Sequence, residues 1–139
     1  LLQLEGLLHG ERDWVANAAN ASALLWHTLP QLNWVGFYFL RGGELVVGPF
    51  QGKPACVRIE IGRGVCGTAA ARRETVVVRD VHAFPGHIAC SSLSRSEIVI
   101  PLIKDNKIGG VLDVDSVNLA SFDEIDQRYL EEIVSWLKP

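Results

Sequence analysis

Cys56, Cys66 and Cys90 are the three cysteines of a 139-residue chain without methionine, and their odd number and loose spacing match no paired zinc knuckle. Thiols of this kind suit redox chemistry, in which a thiolate attacks, is oxidised, and is resolved by a second thiol. Each needs a reason to ionise. Cys66 falls in the first turn of a predicted helix after Gly64, where the helix dipole favours an anion. Cys90 lies beside His87 in a loop with Ser91 and Ser92, whose hydroxyls can donate hydrogen bonds. Cys56, after Pro54 at a strand start, has neither advantage and reads as a partner thiol. Cys66 and Cys90 therefore compete for the attacking role. The ordinary fate of a free cysteine is burial as a small hydrophobe, and on an alanine-rich helix that is the expected one for Cys66.

Acidic residues supply the proton such chemistry needs. Asp113 and Asp115 are two apart in a predicted strand, so they share a face while Leu112 and Val114 take the other. Glu97 opens the partner strand, and the short turn at 104–107 brings it near the end of the 108–115 strand, where the three carboxylates converge. Crowded carboxylates repel, so at least one pKa rises and leaves a protonated acid near neutral pH. Solvation or turn capping is the ordinary role of such aspartates. Trp34, Gly36 and Tyr38 share one strand face opposite Val35, Phe37 and Phe39, and the glycine leaves room between the rings for an apolar or sulfur-containing group. Core packing is the default for either ring. His82, His87 and Cys90 are spaced too loosely for a zinc site, and the glycines at 62–67 form no phosphate-binding loop. Neither metal nor cofactor is expected.

The elements that must position these groups begin with Leu1, Leu4, Leu7 and Leu8, then Trp14, Ala18, Ala21 and Leu25, at helical spacing: one helix, or two broken near Gly10. WVGFYFL and LVVGPF form a hairpin around Arg41-Gly42-Gly43-Glu44. A short strand at 57–61, a turn at 62–64, the helix VCGTAAARRE and the strand TVVV follow, then a long irregular loop at 80–95. EIVIPLI and KIGGVLDVD form a second hairpin, and a closing helix from Phe122-Asp123-Glu124 carries Tyr129, Leu130, Ile133, Val134 and Leu137 on one face. The pattern predicts an α+β domain with a central antiparallel sheet and the N- and C-terminal helices packed on one face.

At 48% hydrophobic and 21% charged residues, the composition is that of one soluble globular domain spanning 1–139, and no apolar run reaches the roughly 20 residues a membrane span needs. A net charge of −3 provides no attraction to nucleic acid or anionic lipid, and neither partner is expected. Unpaired thiols suit the reducing cytoplasm. The start at Leu1, without methionine, leaves room for a preceding segment.

Taken together, NWVGFYFL, GPFQGKPAC, GRGVCGTAA, DVHAFPGHIAC, SRSEIVIPL, GVLDVDS and FDEIDQRYLEEI resemble the free methionine-(R)-sulfoxide reductases, enzymes of the GAF fold, from about Asn33 onward. The resemblance implies a GAF-like domain that reduces free L-methionine-R-sulfoxide to methionine, recycled by thioredoxin, and a homodimer. It implies that Cys90 attacks the sulfoxide sulfur, that Cys56 resolves the resulting sulfenic acid as a disulfide, and that Cys66 is a second candidate for recycling. Glu97, Asp113 and Asp115 match the carboxylates that hold the sulfoxide oxygen and the ammonium. Trp34 and Tyr38 match the aromatic wall around the methyl end, and the backbone from Gly86 through Ile88 and Ala89 would bind the substrate carboxylate. Glu97 is the expected proton donor or its main anchor, and the 80–95 loop is expected to close over a small zwitterion and exclude peptides. The competing expectation is a GAF sensor that binds a small molecule without turnover. A cyclic-nucleotide signature is met in part by Asn106-Lys107 and Phe122 to Asp126, with Gln127 where glutamate is expected.

Overall fold

A computed structural model of the chain describes residues 2–87 and 93–137. Its elements are α1 (Leu2–Leu8), α2 (Trp14–Thr28), β1 (Leu32–Arg41), β2 (Glu44–Gly52), β3 (Arg58–Glu60), α3 (Gly64–Arg72), β4 (Val76–Val78), β5 (Ser96–Lys104), β6 (Lys107–Ser116) and α4 (Glu124–Trp136). The strands form one antiparallel sheet in the order β3-β2-β1-β6-β5-β4. Both long hairpins close with two-residue turns whose central residues have positive φ: Gly42 and Gly43 in one, Asp105 and Asn106 in the other. Such turns match the twist of the strands they join.

Alternation along β1 divides the core into two layers. Val35, Phe37 and Phe39 join Ile98, Ile100, Leu102, Leu112 and Val114 against α1, α2 and α4. Trp14 seals this layer, its ring 4.9 Å from that of Phe39. The N- and C-terminal helices therefore do share a face, and the N-terminal pair does break near Gly10, at φ 77°. Trp34 and Tyr38 point the other way, toward α3, with Val99, Val111, Cys66 and Ala69. Tyr129 departs from the expected helix face: at 49% exposure it stands outside the stripe of Leu130, Ile133 and Val134.

The residues of the partial nucleotide signature have structural duties. Asn106 turns the β5–β6 hairpin, Phe122 is buried in the helical layer, and Asp126 completes a capping box with Asp123 at the start of α4.

α3 sits very close to the β3 turn. Gly62 N donates to Gly67 O at 2.8 Å, and a Cβ on Gly67 would lie 2.4 Å from the Glu60 carbonyl oxygen. Only a hydrogen fits there, so any side chain lifts the helix that carries Cys66. Gly67→Ala is expected to destabilise the protein by about 1–3 kcal/mol, read as a lowered urea midpoint; an unchanged midpoint would show that α3 is not seated by this approach.

Candidate functional site

Sheet register brings the acidic residues together. Trp34, Asp115 and Glu97 are direct partners across β1, β6 and β5, and Gly36, Asp113 and Val99 form the next rung on the same face. The pairing of Glu97 with Asp115 is the one expected from the short hairpin. Over this face lies a cavity of about 450 Å³, within the usual size of small-molecule sites, lined by Trp34, Tyr38, Glu97, Asp113, Asp115 and Cys66, among others.

Glu97 and Asp113 are buried, at 7% and 6% exposure, and Asp115 is half-buried. None of the three pairs with a basic side chain among the described residues, where the ion pairs are Arg58–Glu44 and Arg63–Glu60. Burial, then the neighbouring Asp115 charge, pushes the Asp113 carboxyl well above the ordinary carboxylate range. Burial, then the Glu97 charge, does the same to Asp115. Both carboxyls are thereby biased toward the protonated form, and hydrogen bonds to Glu97 act in the same direction, whereas the hydrogen bond with Asp113 opposes it at Asp115. Oδ1 of each aspartate is buried with no hydrogen-bond partner.

The thiols divide as follows. Cys66 is a free, buried thiol in the first turn of α3, and burial followed by the Glu97 charge raises its pKa well above the usual value. The dipole expectation fails here because a helix terminus contributes about 0.3–1 kcal/mol, whereas burying an unpaired charge costs several. Donor atoms of Cys66, Glu97 and Asp113 lie within 4.8 Å of one another, the described group with the spacing to hold a cation. Cys56 is disulfide-bonded and half-buried against the α3-side core. Cys90, Ile88 and Ala89 lie outside the described residues. His82 is exposed, its ring 6.4 Å from that of His87.

Trp34 and Tyr38 do line the cavity, stacked with centroids 5.9 Å apart, and they also hold the segment leading to Cys56. Trp34 Nε1 donates to the Lys53 carbonyl at 3.1 Å, and the Tyr38 hydroxyl donates to the Cys56 carbonyl at 2.9 Å. The room expected above Gly36 is filled. A Cβ there would lie 2.2 Å from Cβ of Phe50, whose ring stacks on Trp34 at 5.1 Å. Phe50 arrives because the β1–β2 register slips by one between Gly36 and Tyr38, placing a bulge at Gly48-Pro49. Strict alternation would send Phe50 to the other face, away from Leu45 and Val47, so the sequence reading missed it; a Gly-Pro pair inside a strand was the available signal. His87, Trp26, Lys53 and Arg63 also reach the cavity without having been singled out for it.

A family model described as GAF domain matches residues 20–135. The chain is 52% identical over 132 residues to the free methionine-R-sulfoxide reductase of Escherichia coli (strain K12), an overlap of 95% of this chain and 80% of the relative. A free methionine-R-sulfoxide reductase from Neisseria meningitidis, solved in complex with its substrate, superposes with a TM-score of 0.95 at 55% identity, covering 99% of this chain and 83% of that one. The reduced form of the Staphylococcus aureus fRMsr superposes at 0.96 with 53% identity, covering 99% and 89%.

The fold favours protonated Asp113 and Asp115, whereas an unfolded aspartate ionises near 3.8. The native state therefore holds protons that the unfolded chain has released above about pH 4, and stability falls as pH rises from there. Asp113→Asn removes part of this dependence. Its stability relative to the parent should improve by more than about 1 kcal/mol between pH 4 and pH 8, measured by urea denaturation at both values; parallel pH profiles would contradict the raised pKa.

Proposed function

The chain belongs to the GAF-domain family and, within it, to the free methionine-R-sulfoxide reductases, and on that premise we propose how its cavity reduces free L-methionine-R-sulfoxide. The buried cluster of Glu97, Asp113 and Asp115, in which burial and mutual repulsion push both aspartates toward the protonated form and no ion pair forms among the described residues, carries the proposal. Sulfoxide oxygen is a poor leaving group, and a neutral carboxylic acid beside it donates the hydrogen bond, then the proton, that weakens the S–O bond.

Cys90 attacks the sulfoxide sulfur as a thiolate. The oxygen passes to the Cys90 sulfur, a carboxyl supplies the proton, and the products are methionine and the Cys90 sulfenic acid. The Cys56 thiol condenses with the sulfenic acid, releasing water and forming a disulfide. A thioredoxin dithiol then returns both cysteines to the reduced state by exchange. The disulfide-bonded state of Cys56, beside a free and protonated Cys66, supports Cys56 as the resolving thiol. Cys66 packs close to the carboxyls and remains a candidate for recycling only.

Asp113 and Asp115 are the proton donors in this division, and Glu97 is their anchor and the partner of the substrate ammonium. Trp34 and Tyr38 enclose the thioether methyl, and the backbone from Gly86 to Ala89 receives the carboxylate. A site fitted to a zwitterion selects the free amino acid over peptide-bound methionine sulfoxide. Dimerisation and a cytoplasmic location are further parts of this reading, the dimer resting on resemblance and the location on cysteine usage.

Mixing the protein with free methionine-R-sulfoxide and dithiothreitol, and quantifying methionine by chromatography, tests the scheme. Cys90→Ser should yield none. Cys66→Ser should retain one methionine per enzyme in a single turnover without reductant, and loss of that turnover would transfer the attack to Cys66. Asp115→Asn should lower kcat by about 10²–10⁴, and a near-parental kcat would remove Asp115 from proton transfer.

A further inference from the structure

Two buried polar side-chain atoms on the lining of the cavity have no role in the scheme above, Oδ1 of Asn33 and Nδ1 of His87, and of these only the imidazole nitrogen can donate a hydrogen bond. Nδ1 of His87 is buried with no hydrogen-bond partner, on a side chain that lines the cavity. A buried imidazole nitrogen in that state loses its water without compensation, at a cost comparable to a hydrogen bond. Local geometry keeps it there. His87 N donates to the Phe84 carbonyl at 3.2 Å, Gly86 at φ 74° turns the chain before it, and the His82 ring meets the imidazole edge-on.

The remaining groups of the cavity restrict what this atom can bind. Glu97, Asp113 and Asp115 suit an ammonium and a sulfoxide oxygen, the first through ionised oxygen and the second through a carboxylic proton. None of them suits a second anion. The substrate's α-carboxylate is the group still lacking a side-chain donor. Lys53 and Arg63 reach the cavity too, but both are exposed, and Arg63 lies 3.9 Å from Glu60. Solvent screens them, so they discriminate weakly between a carboxylate and a neutral amide.

We propose that His87 reads the α-carboxylate of the substrate, donating from Nδ1 a hydrogen bond that an amide or peptide carbonyl accepts less well. His87 is thereby a specificity-determining residue for the free acid. The inference rests on the reductase reading, and its test separates the two.

The experiment compares kcat/KM for free methionine-R-sulfoxide and for its carboxamide. His87→Ala should lower the value for the acid about tenfold to a hundredfold, mainly through KM, and lower that for the amide far less. His87→Asn, which keeps an N–H near the position of Nδ1, should recover most of the preference. Equal losses on both substrates in His87→Ala, or a preference that collapses in Arg63→Gln instead, would overturn the assignment while leaving the reductase reading intact. A parent protein that reduces neither substrate would overturn both.

Discussion

Two carboxyl groups facing each other across one rung of a sheet, with a third a rung away and no ion pair to any of them among the described residues, form the constraint around which this molecule is built. Like charges directly opposite destabilise a sheet, and burial makes the penalty worse. Holding a proton above the ordinary pKa costs about 1.4 kcal/mol per pH unit, while burying an unpaired carboxylate costs several kcal/mol. The two costs are of similar size near neutral pH, and burial with mutual repulsion shifts the balance toward the protonated form of Asp113 and Asp115. The same proximity, with burial, keeps Cys66 a thiol.

β1 supplies the opposite side of the arrangement. Val35, Phe37 and Phe39 anchor the helical layer, as does Leu32 before the register irregularity that follows it, and Trp34 and Tyr38 build the cavity wall. Trp34 and Tyr38 each use an apolar ring for the wall and a polar tip for the segment leading to Cys56. One strand thus couples the cavity wall to the segment that carries the disulfide-bonded Cys56. The bulge in β2 adds Phe50 to the stack, which removes the free space that alternation alone implied.

Much of this was legible because it depends on local periodicity. The two faces of β1, the shared face of Asp113 and Asp115, both hairpin turns and the Glu97–Asp115 rung all follow from a period of two and short loops. Where a residue broke the period, legibility ended. Phe50 changed face after the bulge, and Tyr129 left the helix stripe that spacing assigned to it. Cys66 is buried, as its alanine-rich helix led one to expect, and the dipole of that helix does not offset the packing against the strands beneath it.

Sequence by itself determined which chemical groups are present, which strand face each occupies, and the family to which their pattern belongs. Tertiary structure decided their surroundings, and with them which carboxyls are pushed toward the protonated form and which thiol is buried and raised in pKa. Alternation and turn chemistry are properties of neighbouring residues along the chain, whereas the energy of ionising a buried group depends on residues distant in sequence and on the water that packing excludes.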